Sequence, residues 1–133
     1  MRTKVAIVGA LMALAFGATP IVAHHSFSAE FDAAKPFKMS GPVTKVEWMN
    51  PHTFFYIDVT DEKTGKVTNW AMEMGSPNGL MRQGWTRNTM KIGDVVTVEG
   101  SLAKDGSPTG NARAVMTSDG KRLFAASSQG TTP

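Results

Sequence analysis

The sequence contains no cysteine, carries little net charge and has no apolar run long enough to cross a bilayer. Without cysteine the chain has no disulfide framework, no thiolate zinc site and no cysteine nucleophile. The formal charge is +3, and Arg2 and Lys4 supply two of these charges. Because nucleic-acid binding needs a clear excess of basic residues, this near balance argues against a nucleic-acid partner. A hydrophobic fraction of 41% in 133 residues indicates one globular domain.

The first 23 residues have the three-part pattern of a secretory signal peptide. A basic start precedes the uncharged run Val5–Ala18, which is shorter than the roughly 20 residues that span a membrane. Pro20 and Ala23 then supply a helix breaker and a small residue before a cleavage site. We predict a signal peptide over 1–23 and a periplasmic protein that begins at His24, with no membrane span after processing. A retained N-terminal anchor is the alternative.

The processed chain is predicted to form an N-terminal arm, one β-domain and a polar tail. The arm covers residues 24–35 and is predicted to be extended, the domain covers 36–125, and the disordered tail covers 126–133. Alternating apolar residues and β-branched residues predict strands in the domain, namely Val43–Trp48, Thr53–Thr60, Val67–Met74, Val95–Gly100 and Ala112–Thr117, the last continued by an Asp-Gly turn and Lys121–Phe124.

One short helix is predicted between the third and fourth strands. Ser76 can cap its start, Pro77 can occupy its first turn and Gly84 can end it. Trp85 follows and is predicted to fill the core. Three strands, a helix and two strands are the order of a small five-stranded OB-like barrel, and an open β-sandwich is the alternative.

The three histidines are the strongest chemical signal. His24 and His25 would be the first two residues of the processed chain, and His52 follows Asn50-Pro51 at the start of the second strand. A free α-amine and an imidazole on the same residue chelate one ion, and an imidazole on the second residue adds a further corner of a square. Nitrogen ligands in tetragonal geometry favour Cu(II). We therefore predict a copper site formed by these three histidines; a solvated start and an ordinary turn histidine are the alternative.

Methionine and carboxylate side chains offer two weaker signals. Thioethers favour Cu(I), but Met72 and Met74 are predicted to fill the core, and Met49 is left open between the two roles. Asp58 and Glu73 lie on paired strands, where two facing carboxylates could perform acid–base chemistry. No nucleophile, phosphate-binding loop or metalloprotease spacing accompanies them, so we predict a binding protein and no enzyme.

A second kind of binding protein is compatible with the same sequence. An aromatic strand face, together with the loop 104–110, could bind a small organic ligand, a glycan or a partner protein. The residues expected to contribute are Trp48, Asn50, Tyr56 and Trp70. The turn Asn50-Pro51-His52 has a purely structural alternative, because asparagine and proline both favour tight turns.

Short motifs are spread over the processed chain: HHSF from His24, EFD from Glu30, GPVTKVEW from Gly41, NPH from Asn50, NW from Asn69, GSPN from Gly75, GW from Gly84 and GDVVTVEG from Gly93. With its signal peptide and these motifs the chain resembles a family of small exported bacterial proteins classed as a domain of unknown function. The resemblance implies an exported protein with a compact β-domain, and it implies no activity, substrate or catalytic residue. Pro42 departs from the pattern, because a residue able to donate a backbone hydrogen bond is expected there.

Overall fold

The computed structural model describes residues 27–127, most of which form β-strands. The elements in chain order are α1 (Phe27–Glu30), β1 (Phe31–Glu47), β2 (Phe54–Thr60), β3 (Val67–Glu73), α2 (Pro77–Arg82), β4 (Val95–Ala103), β5 (Thr109–Met116) and β6 (Arg122–Phe124). Neither helix of this described part is long and apolar enough to cross a membrane. The predicted signal peptide, His24, His25 and most of the predicted tail lie outside the described residues.

The six strands form one sheet in the order β3-β2-β1-β4-β5-β6. Ala71–Glu73 of β3 also pair in parallel with Thr109–Asn111 of β5. This extra pairing joins β1, β2, β3, β5 and β4 into a ring, which leaves few unpaired strand edges. The short strand β6 lies outside the ring and pairs with β5. The prediction of a mostly β chain with a short helix between the third and fourth strands is confirmed.

The first strand is much longer than its local sequence indicates. We predicted it from Val43, whereas β1 begins at Phe31 and has 17 residues. Proline weakens a strand pattern because it donates no hydrogen bond, yet Pro36 and Pro42 both lie in register with β4. The ladder between β1 and β4 therefore forms through tertiary pairing that a local pattern does not reveal. Ahead of it, α1 is helical where the sequence predicted an extended arm.

The core fills the ring with the residues that alternation selected. Phe55 and Ile57 of β2 are fully buried, as is Met72 of β3, and Met74 just after β3 is nearly so. Burying one such side chain contributes about 1.5–3 kcal/mol. Other members of the same cluster are Val43, Leu80, Trp85, Met90, Val96, Val98, Ala112, Val115 and Ala125. The core positions predicted for Met72, Met74 and Trp85 are confirmed.

Helix α2 begins and ends at the residues that the sequence indicated. The Ser76 hydroxyl accepts a hydrogen bond from the Gly79 N–H at 3.1 Å, and Pro77 occupies the first turn. Gly84 follows with a φ of 92°, a conformation that glycine adopts without steric cost. Because the helix stops there, the chain turns and places Trp85 in the core.

Candidate functional site

His52 lies beside the end of strand β3. Two backbone hydrogen bonds hold the next residue, Thr53, against the segment that follows β3. The Thr53 N–H donates to the Gly75 carbonyl at 3.0 Å, and the Met74 N–H donates to the Thr53 carbonyl at 2.8 Å. This clamp places His52 Nδ1 2.9 Å from Glu73 Oε1. The His52 side chain is 36% exposed and the Glu73 side chain 9%. The imidazole is thus reached by solvent while the carboxylate behind it is buried.

Glu73 is buried because it occupies the seam that closes the ring of strands. It lies opposite Phe54 of β2 and opposite Asn111 of β5. An ionised carboxylate in such a place is costly unless donors surround it. His52 is one of its partners, so the charge of Glu73 and the position of the imidazole are coupled.

Two cavities meet at Glu73. The smaller, of about 270 Å³, is lined by Glu73 and His52 together with residues of the segment leading into α2. The larger, of about 470 Å³, is lined by Glu73 and by Ala29, Glu30 and Phe31. The beginning of the described chain therefore lies along the larger cavity. Glu73, which lines that cavity, is also the residue that His52 contacts.

The segment containing α1 is fastened to the loop between β4 and β5. The Lys104 N–H donates to the Glu30 carbonyl at 2.9 Å, and Lys104 Nζ donates to the Ser28 carbonyl at 2.6 Å. The rings of Phe27 and Phe31 stack with centroids 5.7 Å apart. These contacts hold the start of the described chain at the mouth of the larger cavity.

Carboxylates predominate among the ionisable groups of that cavity. Glu30, Glu73 and Asp105 line it, against one cation, Lys104. Hydrogen bonds from the Ser107 hydroxyl and N–H lower the pKa of Asp105, which keeps this carboxyl ionised at neutral pH. A wall with this charge excess attracts cations. Within residues 27–127, however, no three His, Asp or Glu side chains are grouped as a metal ion would require.

The two carboxylates that the sequence suggested as a facing pair are not opposite each other. The β2–β3 register places Asp58 opposite Asn69 and Glu73 opposite Phe54. Asp58 Oδ1 accepts a hydrogen bond from Asn69 Nδ2 at 2.8 Å. The facing arrangement that acid–base chemistry would need is therefore missing from this pair. Met49, for which two roles were open, is 48% exposed.

The residues of the predicted aromatic face are divided between the core and the outer surface. Trp48 and Trp70 are half-buried and pack against the core cluster. In the β2–β3 ladder, Tyr56 is paired with Ala71, and Trp70 is paired with Ile57. Tyr56 and Ile57 are successive residues of one strand, so their side chains point to opposite faces of the sheet. The structure therefore does not bring Tyr56 and Trp70 to one face.

On the outer surface Tyr56 already has partners. Its hydroxyl donates to Glu47 Oε2 at 3.0 Å, and Lys45 Nζ lies 5.3 Å from the ring centroid. Burial and the hydrogen bond to Glu47 raise the pKa of Tyr56. Asn50, the remaining member of the predicted set, is exposed in the turn, where its peptide bond to Pro51 is cis.

Sequence reasoning identified His52 but missed that Glu73 is its partner and that Lys104 holds α1. The available signal was a carboxylate at the last position of an otherwise apolar strand end, Met72-Glu73-Met74, where a charge must find a partner. Comparison with curated proteins and with solved structures found no significant match. A family model described as a family of unknown function (DUF6152) matches residues 11–113. That match covers most of the chain, and the protein belongs to this family.

Proposed function

We propose that the protein is an exported, periplasmic copper-binding protein with an OB-like domain and no enzymatic activity. The ring order β1-β2-β3-β5-β4, with α2 between β3 and β4, supports the OB-like assignment. The signal-peptide pattern of residues 1–23 supports export.

The observation that carries the copper proposal is that Glu73 lines two cavities. His52 contacts Glu73 from one of them, and the segment that follows His24 and His25 lies along the other. His25 is only two residues before Phe27, a reach of at most roughly 7 Å. Processing after Ala23 would thus start the chain three residues before Phe27, next to the segment that lies along the larger cavity.

Glu73 gives His52 the orientation that a metal ligand needs. With Nδ1–H donating to the carboxylate, the imidazole keeps its lone pair on Nε2 and presents that atom away from Glu73. The α-amine, His24, His25 and Nε2 of His52 then form a set of nitrogen donors suited to Cu(II). The carboxylates of the larger cavity lower the cost of bringing a cation there.

A copper titration of the processed protein tests this function directly. Protein recovered from the envelope is first examined by mass spectrometry, which should show a free amine on His24. Addition of Cu(II) is expected to give a 1:1 complex with nitrogen hyperfine splitting in its EPR spectrum. Affinity should fall as the pH is lowered, because protons compete for imidazole and amine. A blocked or differently trimmed start, or no saturable complex, would overturn the proposal.

Replacement of Glu73 by glutamine tests its role in positioning His52. We expect E73Q to lower the Cu(II) affinity about 10–100-fold, the usual cost of losing a ligand's outer partner. The ¹⁵N shifts of His52 in the copper-free protein should change too, since the amide oxygen is a weaker acceptor than carboxylate. D58N is the matched control on the neighbouring strand, where Asp58 contacts Asn69. Equal effects of the two substitutions would contradict the positioning role.

A further inference from the structure

A third cavity lies away from Glu73 and shares no lining residue with the other two. Its volume is about 550 Å³, and it is formed by β1, β4, β5 and β6. The residues that give it its chemical character are Pro36, Phe37, Lys38, Glu99, Arg113 and Arg122. The cavity therefore combines an apolar wall with four ionisable side chains.

Cations exceed anions in this cavity. Glu99 accepts from Arg122 Nη2 at 3.0 Å and lies 3.3 Å from Lys38 Nζ. The hydrogen bonds from Arg122 and then Lys38 hold the pKa of Glu99 below its ordinary value, so it is ionised at neutral pH. One negative charge thus faces three positive charges, which leaves a net charge of +2, and Arg113 is the cation that is not paired with Glu99.

Arg113 points into the cavity region because strand β5 contains a bulge. The register pairs Glu99 with Ala114 and Gly100 with Ala112, which leaves Arg113 as an extra residue. Bulges of this kind redirect a side chain and are enriched at binding sites. Within residues 27–127 the Arg113 guanidinium has no hydrogen-bond or ion-pair partner. It is an available donor beside an ion pair that is already formed.

A second irregularity opens the opposite side of the cavity. In the β1–β4 ladder, Asp32 and Pro36 are paired with two successive residues of β4. Residues 33–35 of β1 therefore have no partner in β4. Between the two irregularities lies Gly100, where a Cβ atom would lie 2.0 Å from the Asn111 carbonyl oxygen. Glycine is thus required by the close approach of β5, and the ladders on both sides of β4 are irregular beside the cavity.

We propose that this cavity binds a phosphate group, either as free phosphate or as the head of a small molecule, with Arg113 as its main ligand. The planar guanidinium matches the geometry of phosphate oxygens. A net local charge of two suits a dianion. The volume falls in the range of small-molecule sites, and Pro36 and Phe37 provide an apolar wall for an attached group. A polyanion needs a more extended basic surface, so one phosphate group is favoured.

Calorimetric titration at low ionic strength tests this site with three probes: inorganic phosphate, glucose 6-phosphate and glucose. We expect both phosphates to bind and glucose not to bind. R113Q should weaken phosphate binding about 10–100-fold, the loss expected for charged hydrogen bonds. R82Q is the matched control, because Arg82 is an exposed arginine at the end of α2, outside the cavity. Tighter binding of glucose 6-phosphate would assign an attached group, and equal binding would assign free phosphate.

E99Q provides a test with the opposite sign. Removing the carboxylate charge leaves Lys38 and Arg122 free to contact the anion, so phosphate affinity is expected to rise severalfold. If the ion pairs of Glu99 with Lys38 and Arg122 had no role in ligand binding, E99Q would not raise the phosphate affinity. The proposal fails if neither phosphate binds, if glucose binds as well as glucose 6-phosphate, or if R113Q and R82Q behave alike.

Discussion

Alanine at both His24 and His25 is expected to lower the Cu(II) affinity of the processed protein by more than about 100-fold. Losing an outer partner of a ligand already costs 10–100-fold, and this double substitution removes two ligands. An unchanged circular dichroism spectrum serves as the control that the two substitutions leave the fold intact. Calorimetric titration with copper measures the loss.

Chemical acetylation of the processed N-terminus separates the roles of the imidazoles and the α-amine. Both histidines then remain, but the amine nitrogen is no longer a donor. We expect most of the affinity to be lost here too, since the chelate depends on that amine. H52A removes a single nitrogen donor and should have a smaller effect. Unchanged affinity in the double alanine variant would show that copper, if bound, is held elsewhere.

The largest loss of stability is expected from Trp85→Ala. The ring is 2% exposed within the core cluster, and its Nε1–H donates to the Phe124 carbonyl at 2.8 Å. Replacing a buried tryptophan by alanine costs about 3–5 kcal/mol, a large part of the total stability of a small domain. This one side chain also links the segment after α2 to β6. Equilibrium unfolding in urea, followed by far-ultraviolet circular dichroism, measures the change in free energy.

Two further variants divide that loss into its parts. Trp85→Phe keeps most of the apolar volume but leaves the Phe124 carbonyl without its donor, at a cost of about 1–3 kcal/mol. Met81→Ala is the surface control, because Met81 is 53% exposed on α2 and such changes stay within about 0.5 kcal/mol. A Trp85→Ala protein no less stable than Met81→Ala would contradict the central role of this residue.

Copper and phosphate binding can fail independently, because their cavities share no lining residue. R113Q is therefore expected to leave copper binding unchanged, and E73Q to leave phosphate binding unchanged. For each variant, unchanged binding of the other ligand thus shows that the substitution has not simply disturbed the fold.

Local patterns were sufficient for the elements whose neighbours in space are also neighbours in sequence. Strands β2 and β3 form a hairpin with a regular register, so alternation and the turn between them specify both. Ser76, Pro77 and Gly84 specify α2 in the same way, through hydrogen bonds and backbone angles within a few residues. The position of His52 at the start of β2 also followed from its turn.

Other features depend on contacts between residues distant in the chain, and only the tertiary structure decided them. Strand β1 is long because β4, some sixty residues later, pairs with it despite two prolines. Glu73 meets His52 because the clamp between Thr53 and Gly75 brings the two strand ends together. Arg113 lies in a bulge of β5, because the residues on either side of it pair with Glu99 and Gly100, which are successive residues of β4. A sequence records which side chains are available, whereas their pairing is determined by how the ring of strands closes.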